Sequence, residues 1–126
     1  MKNIIIFDLD GTVIDSAHRT PNKPDGTLDL QAYLNLRSHE NIMKDTLLPL
    51  AKAMRSLFSE NYIIIATARN IDASDYEFLE KHNLPFHKFF SREWGCMERD
   101  ASLKVRQIKK LLNLKQFRGK PCYMFD

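Results

Sequence analysis

The pattern of apolar and polar positions contains two runs of β-branched residues, IIIFDL and YIIIAT, at residues 4–9 and 62–67. Apolar runs that do not alternate with polar residues are typical of strands that helices cover on both faces. Two weaker runs, PFHKFFS and CYMFD, occupy residues 85–91 and 122–126. The pattern therefore predicts four strands, each of which ends at polar residues.

Apolar residues at helical spacing separate these runs. Helices are predicted over residues 46–60, with Asp45 as the N-cap, and over residues 74–83. A third helix is predicted over residues 100–114, with an apolar stripe formed by Leu103, Val105, Ile108, Leu111 and Leu112. Strands that alternate with helices predict an α/β fold with a mostly parallel sheet and right-handed crossovers.

The segment between the first strand and the first of these helices differs from the rest of the chain. Residues 14–46 contain a polar stretch with Pro21, Pro24 and Gly26, which exclude one long helix. We expect a short loop or helical insertion there. The whole chain, residues 1–126, is short enough that a single domain with one core is expected.

Polar side chains at the strand ends are the candidate functional residues. Asp8 and Thr67 stand at the ends of the two strong runs, and Asp126 ends the last run. In open α/β sheets, ligands bind beyond the carboxyl ends of the strands. We therefore expect two carboxylates and one hydroxyl to meet in one crevice.

Asp10 follows Asp8 by two residues and precedes Gly11, which permits a tight turn. Ionised carboxylates are costly to desolvate unless they are paired or bound to a metal. A few carboxylates together with water and a phosphate oxygen suit Mg²⁺, so the predicted ligands are Asp8, Asp10 and Asp126. With the metal bound, Asp8 is the predicted nucleophile and Asp10 the predicted general acid and base.

The stretch IIIFDLDGT, residues 4–12, is similar to the first motif of the haloacid dehalogenase-like (HAD) phosphohydrolases, four hydrophobic residues followed by DxDGT. The resemblance extends over essentially the whole chain and implies a Rossmann-like three-layer sandwich. It also implies that Asp8 forms an aspartyl-phosphate, while Asp10 protonates the leaving group, activates water and binds Mg²⁺ through its backbone carbonyl. Thr67, in YIIIATAR, would donate to the phosphoryl oxygens, and Lys104, in DASLK, would offset negative charge.

The fourth motif of the family is a strand that ends in acidic residues, and CYMFD matches it only as far as Asp126. A second acid of that motif would come after this residue, so the sheet is expected to be truncated after its fourth strand. Three explanations stay open: a shortened chain, a short enzyme that relies on Asp126, and a protein with a damaged metal site. An apolar last strand at the edge of the sheet would favour self-association.

The residues around the motifs bear on the substrate. The insertion is too short for a substantial cap domain, so the resemblance implies an open cleft that admits the end of a polymer. The stretches DSAHR, TAR, SRE and ERDASLK resemble the phosphatase domain of phage-type polynucleotide kinase-phosphatases, without the phosphate-binding loop of a kinase. The resemblance implies a polynucleotide 3′-phosphate or a nucleotide as substrate. The predicted substrate-binding residues are Gly11, Thr12, Arg69 and Arg92, with loop anchoring as the alternative for each arginine.

Other side chains leave two alternatives open. His18, Arg19 and Arg99 either contact phosphate or sugar or have structural roles. Phe90 and Trp94 either stack on a base or, as the statistics of protein cores favour, are buried.

Charge and composition limit the classes of binding partner that are expected. Residues 101–126 carry seven Lys and Arg against one Asp, which either steers phosphate or polynucleotide toward the site or forms a solvated helix face. No segment resembles a membrane span or a signal peptide, so we expect a cytoplasmic protein without a membrane partner. Cys96 and Cys122 lack the CxxC spacing, and both are expected to be reduced thiols.

The sequence thus favours a Mg²⁺-dependent phosphomonoesterase. The alternative is a non-catalytic phosphate- or nucleic-acid-binding module with a degenerate HAD site. A response-regulator receiver ranks third, because its phosphoacceptor Asp would lie on a later strand and no such Asp follows YIIIAT.

Overall fold

The computed structural model describes residues 2–126 and contains the predicted parallel sheet. Numbered along the chain, the strands are β1 (Ile4–Phe7), β2 (Ile14–Asp15), β3 (Thr46–Leu47), β4 (Tyr62–Ala66), β5 (Lys88–Phe90) and β6 (Cys122–Phe125). The main sheet has the order β5-β4-β1-β6, and all its neighbouring strands are parallel. The four predicted strands are therefore confirmed, and β1 lies in the interior of the sheet.

Helices cover both faces of this sheet. The helices are α1 (Leu30–Leu36), α2 (His39–Met43), α3 (Leu50–Leu57), α4 (Ala73–Lys81) and α5 (Asp100–Leu112). On one face, Ile5 and Ile63 pack in a core with Met54 of α3 and Phe78 of α4. On the other face, alternate residues of β1 and β4 pack against Leu111 of α5. Successive residues of a strand point to opposite faces, so both faces of the β-branched strands are buried. The predicted three-layer α/β sandwich is confirmed.

The start of α3 differs from the prediction. The Asp45 carboxylate does not cap a helix, because it is buried and accepts a hydrogen bond from Arg19 Nε at 2.9 Å. Instead, α3 begins at Leu50, with Pro49 at the N-cap position. Asp45 therefore forms an ion pair with Arg19, which is distant in the sequence, instead of capping the helix that follows it.

The apolar stripe predicted for α5 is wrong at two positions. Leu103 and Leu111 are buried, whereas Val105 and Leu112 are exposed. Val105 comes two residues after Leu103 and therefore lies on nearly the opposite side of the helix. The buried row is completed by Gln107, whose Nε2 donates to the Thr67 carbonyl at 3.2 Å.

The segment at residues 14–46 contains small elements of its own. β2 pairs with β3 in an antiparallel ribbon, with Ile14 opposite Leu47, and the short helices α1 and α2 lie between them in the chain. Ser38 caps α2 and Asp29 caps α1 through side-chain hydrogen bonds to backbone N–H groups. Among residues 2–126, no helix has the length and apolar character needed to cross a membrane.

Candidate active site

Asp8 and Asp126 lie side by side because their strands are adjacent and in register. Phe7 of β1 pairs with Phe125 of β6, and the Asp8 N–H donates to the Phe125 carbonyl at 3.0 Å. Each aspartate is the first residue after its strand. The parallel pairing therefore brings together two carboxylates that are far apart in the sequence, as the strand-end argument predicts.

Lys104 bridges these two carboxylates. Its Nζ lies 3.0 Å from Asp8 Oδ2 and 2.9 Å from Asp126 Oδ1. Lys104 lies near the start of α5, whose packing on the sheet points its side chain toward the strand ends. The fold therefore places one ammonium group between the predicted nucleophile, Asp8, and the predicted fourth-motif acid, Asp126.

The two carboxylates of this cluster have different proton affinities. Burial raises the pKa of Asp8 to about 6, despite the nearby ammonium of Lys104. Hydrogen bonds from Lys104 and Asp8 lower the pKa of Asp126. The side chain of Asp126 is 55% exposed, against 17% for Asp8, so its charge costs less desolvation. Burial opposes the charge of Lys104, but the two carboxylates outweigh it and raise the Lys104 pKa.

Asp10 lies in a separate environment beyond a tight turn. Gly11 has a φ of +78°, which favours glycine, and its N–H donates to the Ile14 carbonyl at 2.9 Å. Asp10 Oδ1 accepts a hydrogen bond from Ser16 Oγ at 2.9 Å, and Asp10 Oδ2 accepts one from Arg69 Nε at 2.6 Å. Burial favours the protonated form, but Arg69 and Ser16 outweigh it and hold the pKa of Asp10 below its usual value.

Arg69 connects Asp10 to the start of α4. Its Nη1 donates to Asp75 Oδ1 at 2.5 Å, and Asp75 Oδ2 in turn accepts a hydrogen bond from Arg37 Nη2 at 2.9 Å. Burial opposes the charge of Arg69, but Asp10 and Asp75 outweigh it and raise the Arg69 pKa. Sequence reasoning missed Asp75 and Arg37. The spacing Asp72-x-x-Asp75 was an available signal, because it forms the capping box of α4.

Thr67 lies at the end of β4, and its side chain is buried. Its Oγ1 accepts a hydrogen bond from the Arg69 N–H at 3.3 Å. This contact uses an acceptor site and leaves the hydroxyl proton available to donate. Thr12, in the turn after Gly11, is also buried, and its N–H donates to the Leu9 carbonyl at 3.1 Å.

Arg92 makes its hydrogen bonds to loops and to the start of α5. Its Nε donates to the Ala68 carbonyl at 2.6 Å, and its Nη1 donates to the Glu98 carbonyl at 2.6 Å. Its Nη2 forms an ion pair with Asp100 Oδ1 at 2.7 Å. These contacts match the loop-anchoring alternative for Arg92.

Arg19 and His18 both contact Asp45. Arg19 is fully buried and bonds to the carboxylate through Nε at 2.9 Å and through Nη2 at 2.7 Å. The exposed ring of His18 lies 2.8 Å from the same carboxylate. Arg19 Nη2 also lies 3.9 Å from Asp10 Oδ1, so its charge helps to keep Asp10 ionised.

The aromatic candidates differ in exposure. Phe90 is half-buried and packs at the edge of one core cluster. Trp94 is 61% exposed, so the expectation that core statistics favour is wrong for this residue. It lies in the loop between β5 and α5.

Two carboxylates at the strand ends are the side chains available to bind Mg²⁺. Within residues 2–126, no group of three or more His, Cys, Asp or Glu side chains is arranged to hold a metal. The Asp10 carboxylate faces Arg69 and Ser16, so two carboxylates, Asp8 and Asp126, remain at the strand ends. Mg²⁺ is usually bound by one or two carboxylates together with waters and substrate phosphate, so this pair fits the ion.

Comparisons with known proteins identify the family and the fold. A family model described as bacteriophage T5 5′-deoxynucleotidase matches residues 1–119. The 5′-deoxynucleotidase of Escherichia phage T5 is 43% identical over 89 residues, which cover 67% of this chain and 36% of that protein. The matched part is thus about a third of that relative's length.

Two solved structures share the fold at low sequence identity. A haloacid dehalogenase-like hydrolase from Streptococcus pneumoniae superposes with a TM-score of 0.69 at 16% identity, over 98% of this chain and 74% of that one. A chain of the Pnkp1/Rnl/Hen1 RNA repair complex superposes with a TM-score of 0.64 at 20% identity, over 100% of this chain and 36% of that one. The predicted HAD-like fold is therefore confirmed. From the match over residues 1–119, the chain belongs to the bacteriophage T5 5′-deoxynucleotidase family.

Proposed function

We propose that this chain hydrolyses deoxynucleoside 5′-monophosphates in a Mg²⁺-dependent reaction that passes through an aspartyl-phosphate on Asp8. The observation that carries the proposal is the difference between two neighbouring carboxylates. Asp8 shares the Lys104 ammonium with Asp126, whereas Asp10 is held by Arg69 and Ser16. Two carboxylates in different environments are suited to different roles in one reaction. The name of the matched family supports a nucleotide as the substrate.

In the first proposed step, Asp8 attacks phosphorus and the bond from phosphorus to the ester oxygen breaks. Lys104, 3.0 Å from Asp8, offsets the charge that gathers on the nucleophile and the phosphoryl group. The leaving oxygen takes a proton from Asp10. A bound phosphate competes with Asp10 for Arg69 and brings its own negative charge, and both effects favour the protonated form of Asp10 that this step requires.

In the second proposed step, water attacks the phosphorus of the aspartyl-phosphate and gives a proton to Asp10. The bond from phosphorus to Asp8 breaks, which releases inorganic phosphate and restores the Asp8 carboxylate. The Thr67 hydroxyl, whose proton is not used by the Arg69 contact, donates to a phosphoryl oxygen in both steps. Asp10 thus gives up and regains one proton in each cycle.

Asp8, Asp126 and the backbone carbonyl of Asp10 would hold Mg²⁺. When bound, the ion supplies positive charge that allows carboxylates and a phosphate to gather in one place. Lys104 lies between the two carboxylates and would share them with the ion.

A polynucleotide 3′-phosphate is the second candidate substrate. The observation that favours it is the basic C-terminal part of the chain, which carries seven Lys and Arg in residues 101–126. Contacts to polynucleotide phosphates weaken steeply as salt rises, whereas a mononucleotide offers few such contacts. Comparing a 3′-phosphorylated oligonucleotide with a mononucleotide at several salt concentrations therefore separates the two candidates.

The test of the proposed function is phosphate release from a deoxynucleoside 5′-monophosphate. We expect release that needs Mg²⁺, stops with a chelator, and falls by roughly a thousandfold or more in the Asp8→Asn variant. Asp25→Asn changes an exposed loop carboxylate and is the matched control. Turnover that survives Asp8→Asn would refute the nucleophile. No turnover with any divalent metal would favour the non-catalytic binding module.

A further inference from the structure

We propose that Trp94 is the stacking surface for the base of the nucleotide substrate, an inference that rests on the proposed function. Trp94 is the one tryptophan of the chain, and 61% of its surface is exposed. A single exposed apolar side chain is common on protein surfaces, so the surroundings of the ring decide whether a ligand binds there. Three observations on the structure indicate what kind of ligand binds this ring.

The first observation is the position of the ring. The Trp94 indole N–H donates to the Ile71 carbonyl at 3.3 Å. In the same loop, the Arg92 N–H donates to the Arg69 carbonyl at 3.1 Å. The loop that carries Trp94 therefore lies against the loop that follows Thr67. Trp94 stands at the carboxyl end of the sheet, where Asp8 and Asp126 also lie.

The second observation is that the ring is held in place. The Arg37 guanidinium lies 5.3 Å from the ring centroid, a cation–π distance. Arg37 is itself fixed by Asp72 at 2.8 Å and by Asp75 at 2.9 Å. With its N–H satisfied and a cation over one face of the ring, the indole loses little freedom when a ligand stacks on the other face.

The third observation is a direct connection to the predicted acid and base. Asp75 accepts hydrogen bonds from both Arg37 and Arg69, and Arg69 donates to Asp10. One row of ion pairs thus joins the aromatic surface to the phosphate end of the site. A ligand with an anionic group at one end and a flat aromatic group at the other fits this arrangement, and a nucleoside monophosphate has that chemistry.

Stacking uses the π-face that every base has, so this surface binds bases with little selectivity. We therefore expect deoxynucleotides with different bases to bind with similar affinity. The competing explanation is that Trp94 only braces the insertion against the loop after β5, through Arg37. The two explanations differ for phosphate esters that lack a base.

The binding test uses the fluorescence of Trp94 in the Asp8→Asn variant, so that no substrate is consumed. Excitation at the red edge of the indole band avoids absorption by nucleotides. We expect saturable quenching by deoxyadenosine monophosphate, and none by inorganic phosphate or deoxyribose 5-phosphate. A 3′-phosphorylated oligonucleotide in a parallel titration shows whether the base of a polymer end binds the same ring. Equal responses to the nucleotide and to deoxyribose 5-phosphate would overturn the proposal.

The kinetic test uses Trp94→Leu, with Trp94→Phe as the conservative variant. We expect Trp94→Leu to raise KM for the nucleotide about tenfold, which corresponds to about 1.4 kcal/mol, with little change in kcat. KM for deoxyribose 5-phosphate should not change, and Trp94→Phe should recover most of the loss. Met97→Ala changes an exposed residue of the same loop and is the matched control.

The outcomes separate the two proposals. If Trp94→Leu weakens the nucleotide and the base-free ester equally, the bracing role is correct and the stacking surface is refuted. If nucleotides quench Trp94 but no metal gives turnover, the proposed hydrolysis fails while the base-binding surface stands. If turnover is normal and Trp94→Leu leaves KM unchanged, the hydrolysis stands and the stacking surface is refuted.

Discussion

His87 illustrates how one imidazole ties the stability of the fold to pH. Its Nδ1 accepts the Ile63 N–H of β4 at 3.0 Å, and its ring stacks on Phe58 with centroids 4.4 Å apart. Burial lowers the pKa of His87. The folded state therefore binds this proton less readily than the unfolded chain. His87 therefore contributes stability above its pKa in the unfolded chain, which is about 6.5. This contribution is lost as pH falls through the lower pKa that His87 has in the folded state.

We predict that His87→Gln reduces the pH dependence of stability. Wild type should lose more free energy of unfolding than the variant between about pH 7.5 and pH 5, as measured by urea unfolding. His82→Gln is a second variant of the same kind, because burial lowers the pKa of His82 as well, and it should also reduce the pH dependence of stability. Identical pH slopes for wild type and His87→Gln would contradict the assignment.

At the scale of elements, the start of α4 carries Asp75, whose ion pair with Arg69 connects this helix to Asp10 in the site. Asp75 is 3% exposed and contacts both Arg69 and Arg37, whereas Asp72 is 45% exposed and contacts Arg37. Breaking a buried ion pair leaves the remaining charge without its partner, whereas an exposed pair contributes little.

We predict that Asp75→Asn lowers the free energy of unfolding by about 3 kcal/mol, because two arginines lose a buried carboxylate. Asp72→Asn, the matched control in the same capping box, should cost about 1 kcal/mol or less. Urea unfolding gives both values. We also expect a lower kcat in Asp75→Asn, because Arg69 loses the contact that holds it against Asp10. Equal costs for the two variants would show that the capping box, rather than the buried pairs, determines stability.

The elements and the site were predictable from the sequence to different degrees. The run of β-branched residues before Asp8 and Thr67 indicates buried strands, and parallel strands bring their ends together. The pairs of Asp75 with Arg37 and of Asp45 with Arg19 were not predictable. Their partners are 38 and 26 residues apart, and any of several arginines could have matched either carboxylate. Only the packed fold selects the pairs.

At the scale of the whole molecule, β6 is an edge of the main sheet among the residues that the structure describes. Its unpaired side can bond to another strand, and Tyr123, Met124 and Phe125 are all exposed. We predict that the chain self-associates through this edge as concentration rises, as detected by sedimentation velocity. Tyr123→Lys should keep it monomeric, because a charged residue on an edge strand opposes pairing. Val105→Lys adds the same charge at an exposed position of α5 and should not change the association. Equal effects of the two variants on self-association would show that the chain does not associate through β6.

The most direct test of the aspartyl-phosphate is to trap it. An aryl phosphate has a leaving group that departs without a proton, so the Asp10→Asn variant should complete the first step and stall before the second. After mixing this variant with the ester and Mg²⁺, we predict by peptide mass spectrometry one phosphoryl group on the peptide that contains Asp8. The Asp8→Asn/Asp10→Asn double variant should carry none. If wild type hydrolyses the ester while Asp10→Asn carries its phosphoryl group on another residue, or carries none, Asp8 is not the nucleophile.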